Sequence, residues 1–205
     1  MSHPDQIGVR PSPHGTHEVF NQSEPRVDLN EYTLNVALRE AVAEFAPGET
    51  ETKLNEIGAH VGGAHYQRDA DLANTLTPRH ISHDRWGNRV DEIEFHPAYH
   101  NIMGKSVEWG LHTSMWVDPK PGANVMRAAG FYLASQIEPG HSCPISMTHA
   151  VVPALRKSPE LYAQWEPRLL ATEYDPELRD PATKAGVIFG MAMTEKQGGS
   201  DVRAN

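Results

Sequence analysis

Apolar residues recur at three- and four-residue spacing through most of this chain, a period that predicts helices rather than strands. Leu34, Ala37, Leu38, Ala41, Val42 and Phe45 form the first stripe, predicting an amphipathic helix over 35–46 that Pro47-Gly48 stops. Leu54, Ile57, Val61, Ala64 and Leu72 form the second, a single helix from a Thr50 N-cap to about Leu76. Gly58, Gly62 and Gly63 weaken that helix by about 1 kcal/mol each relative to Ala, and they open it to close helix–helix contact. Between 78 and 94 the helical period fades, and Gly87-Asn88 between short apolar pieces predicts a weak hairpin. Pro97 suits the first position of another helix, with Tyr99, Ile102, Met103, Ser106 and Gly110 on one face. After the break at Pro119-Lys120-Pro121-Gly122, a stripe of Val125, Ala128, Ala129, Tyr132, Leu133 and Ile137 predicts a core helix. A further helix starts after a Ser142 cap, with Ile145, Thr148, Val151, Val152 and Leu155 inward and Pro153 expected to kink or interrupt it. Ser158-Pro159-Glu160 then opens a short helix carrying Leu161, Trp165 and Leu169.

Two regions break this helical rhythm. Residues 1–30, with Pro4, Pro11, Pro13 and Pro25, have no period and predict an extended arm. Residues 186–193 are apolar and partly β-branched, and they predict one buried strand. The preceding helices offer it no partner, so its sheet is expected to lie in residues this chain lacks. The expected organisation is an arm over 1–30, a helical domain over 31–185, and the start of a second, β-rich domain over 186–205.

Composition narrows the function classes. At 205 residues, 39% of them hydrophobic, the chain has room for one domain or slightly more. A formal charge of -9 argues against a nucleic-acid surface within this stretch. No apolar run is long enough to span a membrane and no signal peptide is visible, so a cytoplasmic protein without a membrane partner is expected. The lone Cys143 fits a reducing compartment and is expected to be a buried structural thiol. The pairs His96/His100 and Glu108/His112 have helical spacing, but His-Glu-x-x-His is absent; capping and packing are expected of them, and no metal.

The chemistry concentrates at Met193-Thr194-Glu195-Lys196-Gln197-Gly198-Gly199-Ser200-Asp201, directly after the predicted strand. Hydroxyls, carboxylates and a Gly pair suit a backbone that closely approaches an anionic ligand. This segment resembles the Thr-Glu-Pro-Gly-x-Gly-Ser-Asp signature of the acyl-CoA dehydrogenases. Lys196 and Gln197 stand where that signature has Pro and Gly, a variant similar to the AidB-like branch, the adaptive-response flavoproteins. Val19-Phe20-Asn21-Gln22, Phe95-His96-Pro97-Ala98-Tyr99-His100 and Cys143-Pro144-Ile145-Ser146-Met147-Thr148 resemble that branch too.

The resemblance implies a mainly α fold: the acyl-CoA dehydrogenase N-terminal helical domain plus the first strand of the middle β-domain, truncated there. It implies an FAD cofactor, with Met193 along the flavin ring, Thr194 donating to its pyrimidine edge, and Gly199 and Ser200 at the pyrophosphate. Asp201 is expected to be a turn or cap residue that could order the loop. The implied reaction is α,β-dehydrogenation of an acyl-CoA-like thioester, with a Glu base from the family's C-terminal domain, so no catalytic residue is expected in these 205 residues. The family is usually a homotetramer through that domain. In the AidB branch, alkylation protection and DNA binding are attributed to it as well. Two rival functions remain at this stage: a DNA-protection protein with a mainly structural flavin, and a non-enzymatic helical interaction module.

Overall fold

The computed structural model describes residues 25–192 together with Gly15, Gln22, Ser23, Lys196, Gly199, Ser200, Asp201 and Arg203. Most of the predicted N-terminal arm therefore lies outside the described residues. The rest is mainly helical: α1 (Val36–Phe45), α2 (Thr52–Val61), α3 (Ala64–Thr75), β1 (Arg79–His83), β2 (Arg89–Glu94), α4 (Pro97–Glu108), α5 (Ser114–Val117), α6 (Ala123–Ile137), α7 (Ser142–Leu155) and α8 (Pro159–Leu169), followed by a 3₁₀ turn (Pro181–Thr183). This is the architecture expected of the helical domain.

Helix α6 lies at the centre, against α1, α2 and α5, while α3 packs on α4 and α7 on α8. The core joins Leu54, Ile57 and Val61 of α2, Ile102, Met103 and Val107 of α4, Ala129, Leu133 and Ala134 of α6, and Ile145 of α7. The α6 stripe is thus rotated from the predicted one: Gly130 and Ala134 face inward, and Tyr132 is 47% exposed. Helix α1 forms as predicted, with Asn35 Oδ1 accepting the Leu38 N–H at 3.0 Å. It buries only Val42, because α6 covers it from one side; Leu34 and Phe45, expected inward, face solvent.

The predicted helix over 50–76 is two helices. The break falls at Gly62-Gly63, and the N-terminal residue before α2 is Glu51, without a side-chain cap, rather than Thr50. The glycines do permit a close approach, but to the chain segment before α1 rather than to a helix. Asp28 donates its N–H to Gly62 O at 2.7 Å and, at a φ of 56°, turns its Oδ1 to the Ala64 N–H at 3.0 Å. It thereby caps α3 from 36 residues away in sequence. Beside it, Glu31 donates its N–H to Gly58 O at 3.0 Å. Tyr32 is buried there.

The hairpin forms where expected, antiparallel with Arg79 opposite Glu94 and Ile81 opposite Glu92. Its turn is held by Asp84 Oδ1, which accepts from the Trp86 and Asn88 N–H groups, and Gly87 takes a φ of 84°. Helix α4 starts at Pro97 with His96 Nδ1 accepting the Ala98 N–H at 3.1 Å. His100 Nδ1 lies 2.9 Å from the Tyr174 hydroxyl.

Pro153 does not interrupt α7, which continues to Leu155. A proline there supplies no N–H to the His149 carbonyl one turn earlier. Trp116 of α5 supplies it instead, with Nε1–H donating to His149 O at 3.1 Å. The helix opens at Ser142 itself, after His141, so Ser142 is not its cap. Cys143 is exposed on the first turn of α7, contrary to its expected burial, because Ile145, Thr148 and Val152 form the inward face.

His112, between α4 and α5, is 1% exposed. Its Nε2 donates to Ala171 O at 3.0 Å and its Nδ1 has no partner among the described residues. A protonated ring would bury an unpaired donor. Burial accordingly pushes its pKa down to about 4, with the bond to Ala171 opposing the shift and nearby His149 adding to it. The unfolded chain then binds more protons than the folded one between pH 4 and 6.5. Stability from this group is complete above about pH 6.5 and falls as pH drops toward 4, by about 2 kcal/mol between pH 7.5 and 5. Urea midpoints measured across that range are expected to fall less steeply for His112→Gln than for the parent. An equal slope would show that His112 takes up its proton alike in the folded and the unfolded chain, so that its burial does not oppose protonation.

Candidate functional site

The segment that leads into the predicted flavin motif is built on α7 and α8. Gly186 is buried, and a Cβ at that position would sit 2.1 Å from Glu173 O, so only glycine lets the chain cross there. Val187 donates its N–H to Arg168 O at 3.2 Å. Two residues on, Phe189 donates its N–H to Thr148 Oγ1 at 3.0 Å, while that hydroxyl donates to Pro144 O at 2.8 Å. Phe189 also meets Trp165 edge-on, with ring centroids 5.7 Å apart, and Ile188 packs against the core. Arg168 ties down the preceding turn through Lys184 O and Ala182 O.

Residues 186–192 therefore do not form the predicted strand: they run over two helices, buried at Gly186, half-buried from Val187 to Phe189 and exposed from Gly190 on, with no strand beside them among the described residues. A β-rich sequence without a second strand satisfies its amides on whatever acceptors adjoin it, here a helix-end carbonyl and a threonine hydroxyl.

Of the four expected flavin contacts, Met193 and Thr194 lie outside the described residues. Gly199 and Ser200 are exposed. Among the described residues no atom beyond its chain neighbours lies within 4 Å of a Cβ placed on Gly199, so its backbone is open on that side. Asp201 Oδ1 accepts the Arg203 N–H at 3.2 Å, the turn role expected of it. What is described of the loop fits FAD in being open and donor-rich, with no pocket walls around it. Alongside, a groove of about 730 Å³ runs from the hairpin past Tyr99, Met103 and Pro144 to Val187 and Ile188, with Asp175, Arg179 and Lys184 at its polar side.

A second constellation was not foreseen. His141 Nδ1–H donates to Glu138 Oε2 at 2.8 Å, and the Ser106 hydroxyl donates to His141 Nε2 at 2.8 Å. The order hydroxyl, imidazole, carboxylate is that of a nucleophilic relay. Here Ser106 and His141 are wholly inaccessible and Glu138 is 5% exposed, so no substrate reaches the hydroxyl. The carboxylate also accepts the N–H groups of Gly140, at 2.7 Å, and His141, at 2.8 Å. Burial alone would push the Glu138 carboxyl up, but these bonds outweigh it and hold its pKa below the usual carboxylate value. The group is a structural joint between α4 and the α6–α7 corner. The Glu138/His141 spacing was visible in sequence; Ser106, 35 residues away, was not.

Among the described residues no cluster of three or more His, Cys, Asp or Glu could hold a metal ion, and no helix is long and apolar enough to cross a membrane.

Residues 21–176 match the family described as the adaptive response protein AidB N-terminal domain. The chain is 41% identical over 192 residues to AidB of Escherichia coli (strain K12), whose name places it among acyl-CoA dehydrogenases. It is 30% identical over 174 residues to acyl-CoA dehydrogenase family member 11 of Caenorhabditis elegans. These matches take in 93% and 82% of the chain but only 36% and 27% of the relatives. Its fold is similar to Bd2924 in its apo form, with a TM-score of 0.77 and 26% identity, covering 90% of this chain and 36% of that one. It is also similar to Caenorhabditis elegans ACDH-11 in complex with C11-CoA, with a TM-score of 0.71 and 23% identity, covering 96% and 34%. The chain belongs to the AidB N-terminal domain family of acyl-CoA dehydrogenase-like proteins.

Proposed function

We propose that this chain supplies one wall of a flavin site in an FAD-dependent acyl-CoA dehydrogenase-like protein. The observation that carries the proposal is the Met193–Asp201 motif, delivered by an extended segment fixed to α7 and α8. When bound, FAD would supply the hydride-accepting ring. This chain would contribute a Thr194 donor at the pyrimidine edge, Met193 along the ring, and Gly199 and Ser200 at the pyrophosphate. Thr148 and Arg168 set the position of that loop, because they hold the backbone at Phe189 and Val187. The groove beside Val187 and Ile188, apolar along Tyr99 and Met103, suits an acyl-thioester ligand. ACDH-11, of similar fold, is in complex with C11-CoA.

The α-proton acceptor is not among the residues proposed here, so the 205 residues alone are expected neither to bind FAD tightly nor to turn over substrate. The test joins residues 1–205 to the remainder of Escherichia coli AidB in place of that protein's own N-terminal part. Flavin absorbance after gel filtration, and titration with FAD, should show stoichiometric binding by the chimera and none that is tight by the 205-residue chain. Ser200→Ala and Thr194→Ala should each weaken FAD binding about tenfold, the loss of one or two donors to an anionic group. Unchanged FAD affinity in both variants, or tight binding by the short chain, would overturn the proposal.

A further inference from the structure

A cavity of about 250 Å³ opens between the start of α2, α5 and the first half of α6. None of the described residues from Gly186 on lines it, and the groove beside Val187 and Ile188 shares none of its lining residues. Its floor is apolar: Leu54, Ile57 and Leu111 are each at most 2% exposed, and Trp109 and Met126 complete the walls. A dry cavity of about 150 Å³ with such a lining accommodates benzene, so this one has room for an aromatic ring with a small substituent.

The mouth is charged, and its charges are unequally satisfied. Lys120 Nζ bridges Glu49 and Asp118, at 3.1 and 3.2 Å, so one lysine occupies both carboxylates that line the cavity. Arg127 has no carboxylate partner among the described residues. It donates from Nη1 to Leu111 O at 2.9 Å and from Nε toward Asn124 Oδ1 at 3.4 Å, and it lies over the Phe131 ring. Lys53, also at the mouth, is likewise without an ion pair among the described residues. The lining thus has a net charge of +1, three cations against two carboxylates, and the half-buried Arg127 guanidinium and the exposed Lys53 are the two cations outside the Lys120 bridge. Burial lowers the pKa of Arg127, as desolvation of an unpaired cation does.

The geometry points to a binding site for a small amphipathic carboxylate, its charge on Arg127 and its apolar body against Leu54, Ile57, Leu111 and Met126. A guanidinium fork matches a planar carboxylate with two parallel hydrogen bonds. The single excess charge matches a monoanion rather than a phosphate dianion, and the apolar floor demands a hydrocarbon body.

The probe is benzoate, with benzyl alcohol as its neutral counterpart, titrated into the isotope-labelled 205-residue chain and read by NMR. Benzoate is expected to give saturable shifts at Leu54, Ile57, Leu111 and Met126 with a Kd below about 1 mM, and to bind at least tenfold more tightly than benzyl alcohol. Arg127→Gln should erase that tenfold preference. Lys53→Glu, on the exposed side of α2, should weaken benzoate severalfold and leave benzyl alcohol unchanged. If Arg127→Gln fails to fold, Lys53→Glu decides. Absence of saturable shifts at these residues, equal affinity for the two probes, or benzoate binding unaffected by Lys53→Glu would overturn the assignment.

Discussion

Gly62→Ala is expected to lower the unfolding free energy by about 3 kcal/mol. Helix propensity argues the other way, since Ala should gain about 1 kcal/mol over Gly at a helical φ, and Gly62 has a φ of -78°. Space decides. A Cβ on Gly62 would lie 1.8 Å from Leu29 O and 2.9 Å from Leu29 C, both backbone atoms that no rotamer change can move aside. The segment 28–32 would have to lift. That would break the Asp28 N–H bond to Gly62 O and the Asp28 cap on α3, and it would loosen buried Tyr32. Gly190→Ala, where nothing lies within 4 Å, serves as the control and should change stability little. Urea unfolding of the three chains gives the comparison. A loss below about 1 kcal/mol for Gly62→Ala would mean that the segment before α1 adds little to the fold.

Glu138→Ala should cost more, about 3–5 kcal/mol, the range for removing one partner of a buried ionic or strongly hydrogen-bonded pair. Three donors converge on this carboxylate: the N–H groups of Gly140 and His141 and the His141 ring. Alanine strands the two His141 donors where water cannot reach and unpairs the part-buried Gly140 N–H as well. Glu138→Gln keeps the shape but sets an NH₂ against one of those donors, so a smaller loss, about 2 kcal/mol, is expected. Because bonding in the folded state depresses the Glu138 pKa, its stabilisation is present above the ordinary value of 4.5 and is lost as pH falls below it. Both variants should therefore flatten the acid limb of the stability curve. If Glu138→Ala unfolds within about 1 kcal/mol of the parent, the relay is incidental to the fold.

The helices were legible because their signals are local. Asn35, Pro97, Pro119-to-Gly122 and Ser158-Pro159 mark boundaries within one or two residues of where they fall. What escaped was set by distant partners. The glycines at 58 and 62 announced a close approach, but only the fold shows that residues 28–32 make it. The outward turn of Phe45 and Tyr132 depends on how far α1 covers α6, which no periodicity encodes. The family was legible for a different reason: a signature of contiguous polar residues needs no tertiary knowledge to be read. Its expected contacts were only partly tractable, since Gly199 and Ser200 are open and Met193 and Thr194 lie outside the described residues. The carboxylate cavity left no sequence mark, because its cations come from α2, α6 and the loop between α5 and α6.

The extended run over α7 and α8 also has a kinetic signature. Val187 and Phe189 point their amides at the helices, whereas Ile188 and Gly190 have no hydrogen-bond partner among the described residues. Amide hydrogen exchange should alternate along it, slow at 187 and 189 and fast at 188 and 190. One edge of this backbone is already committed to α7 and α8, and on the other the amides of 188 and 190 meet no acceptor among the described residues.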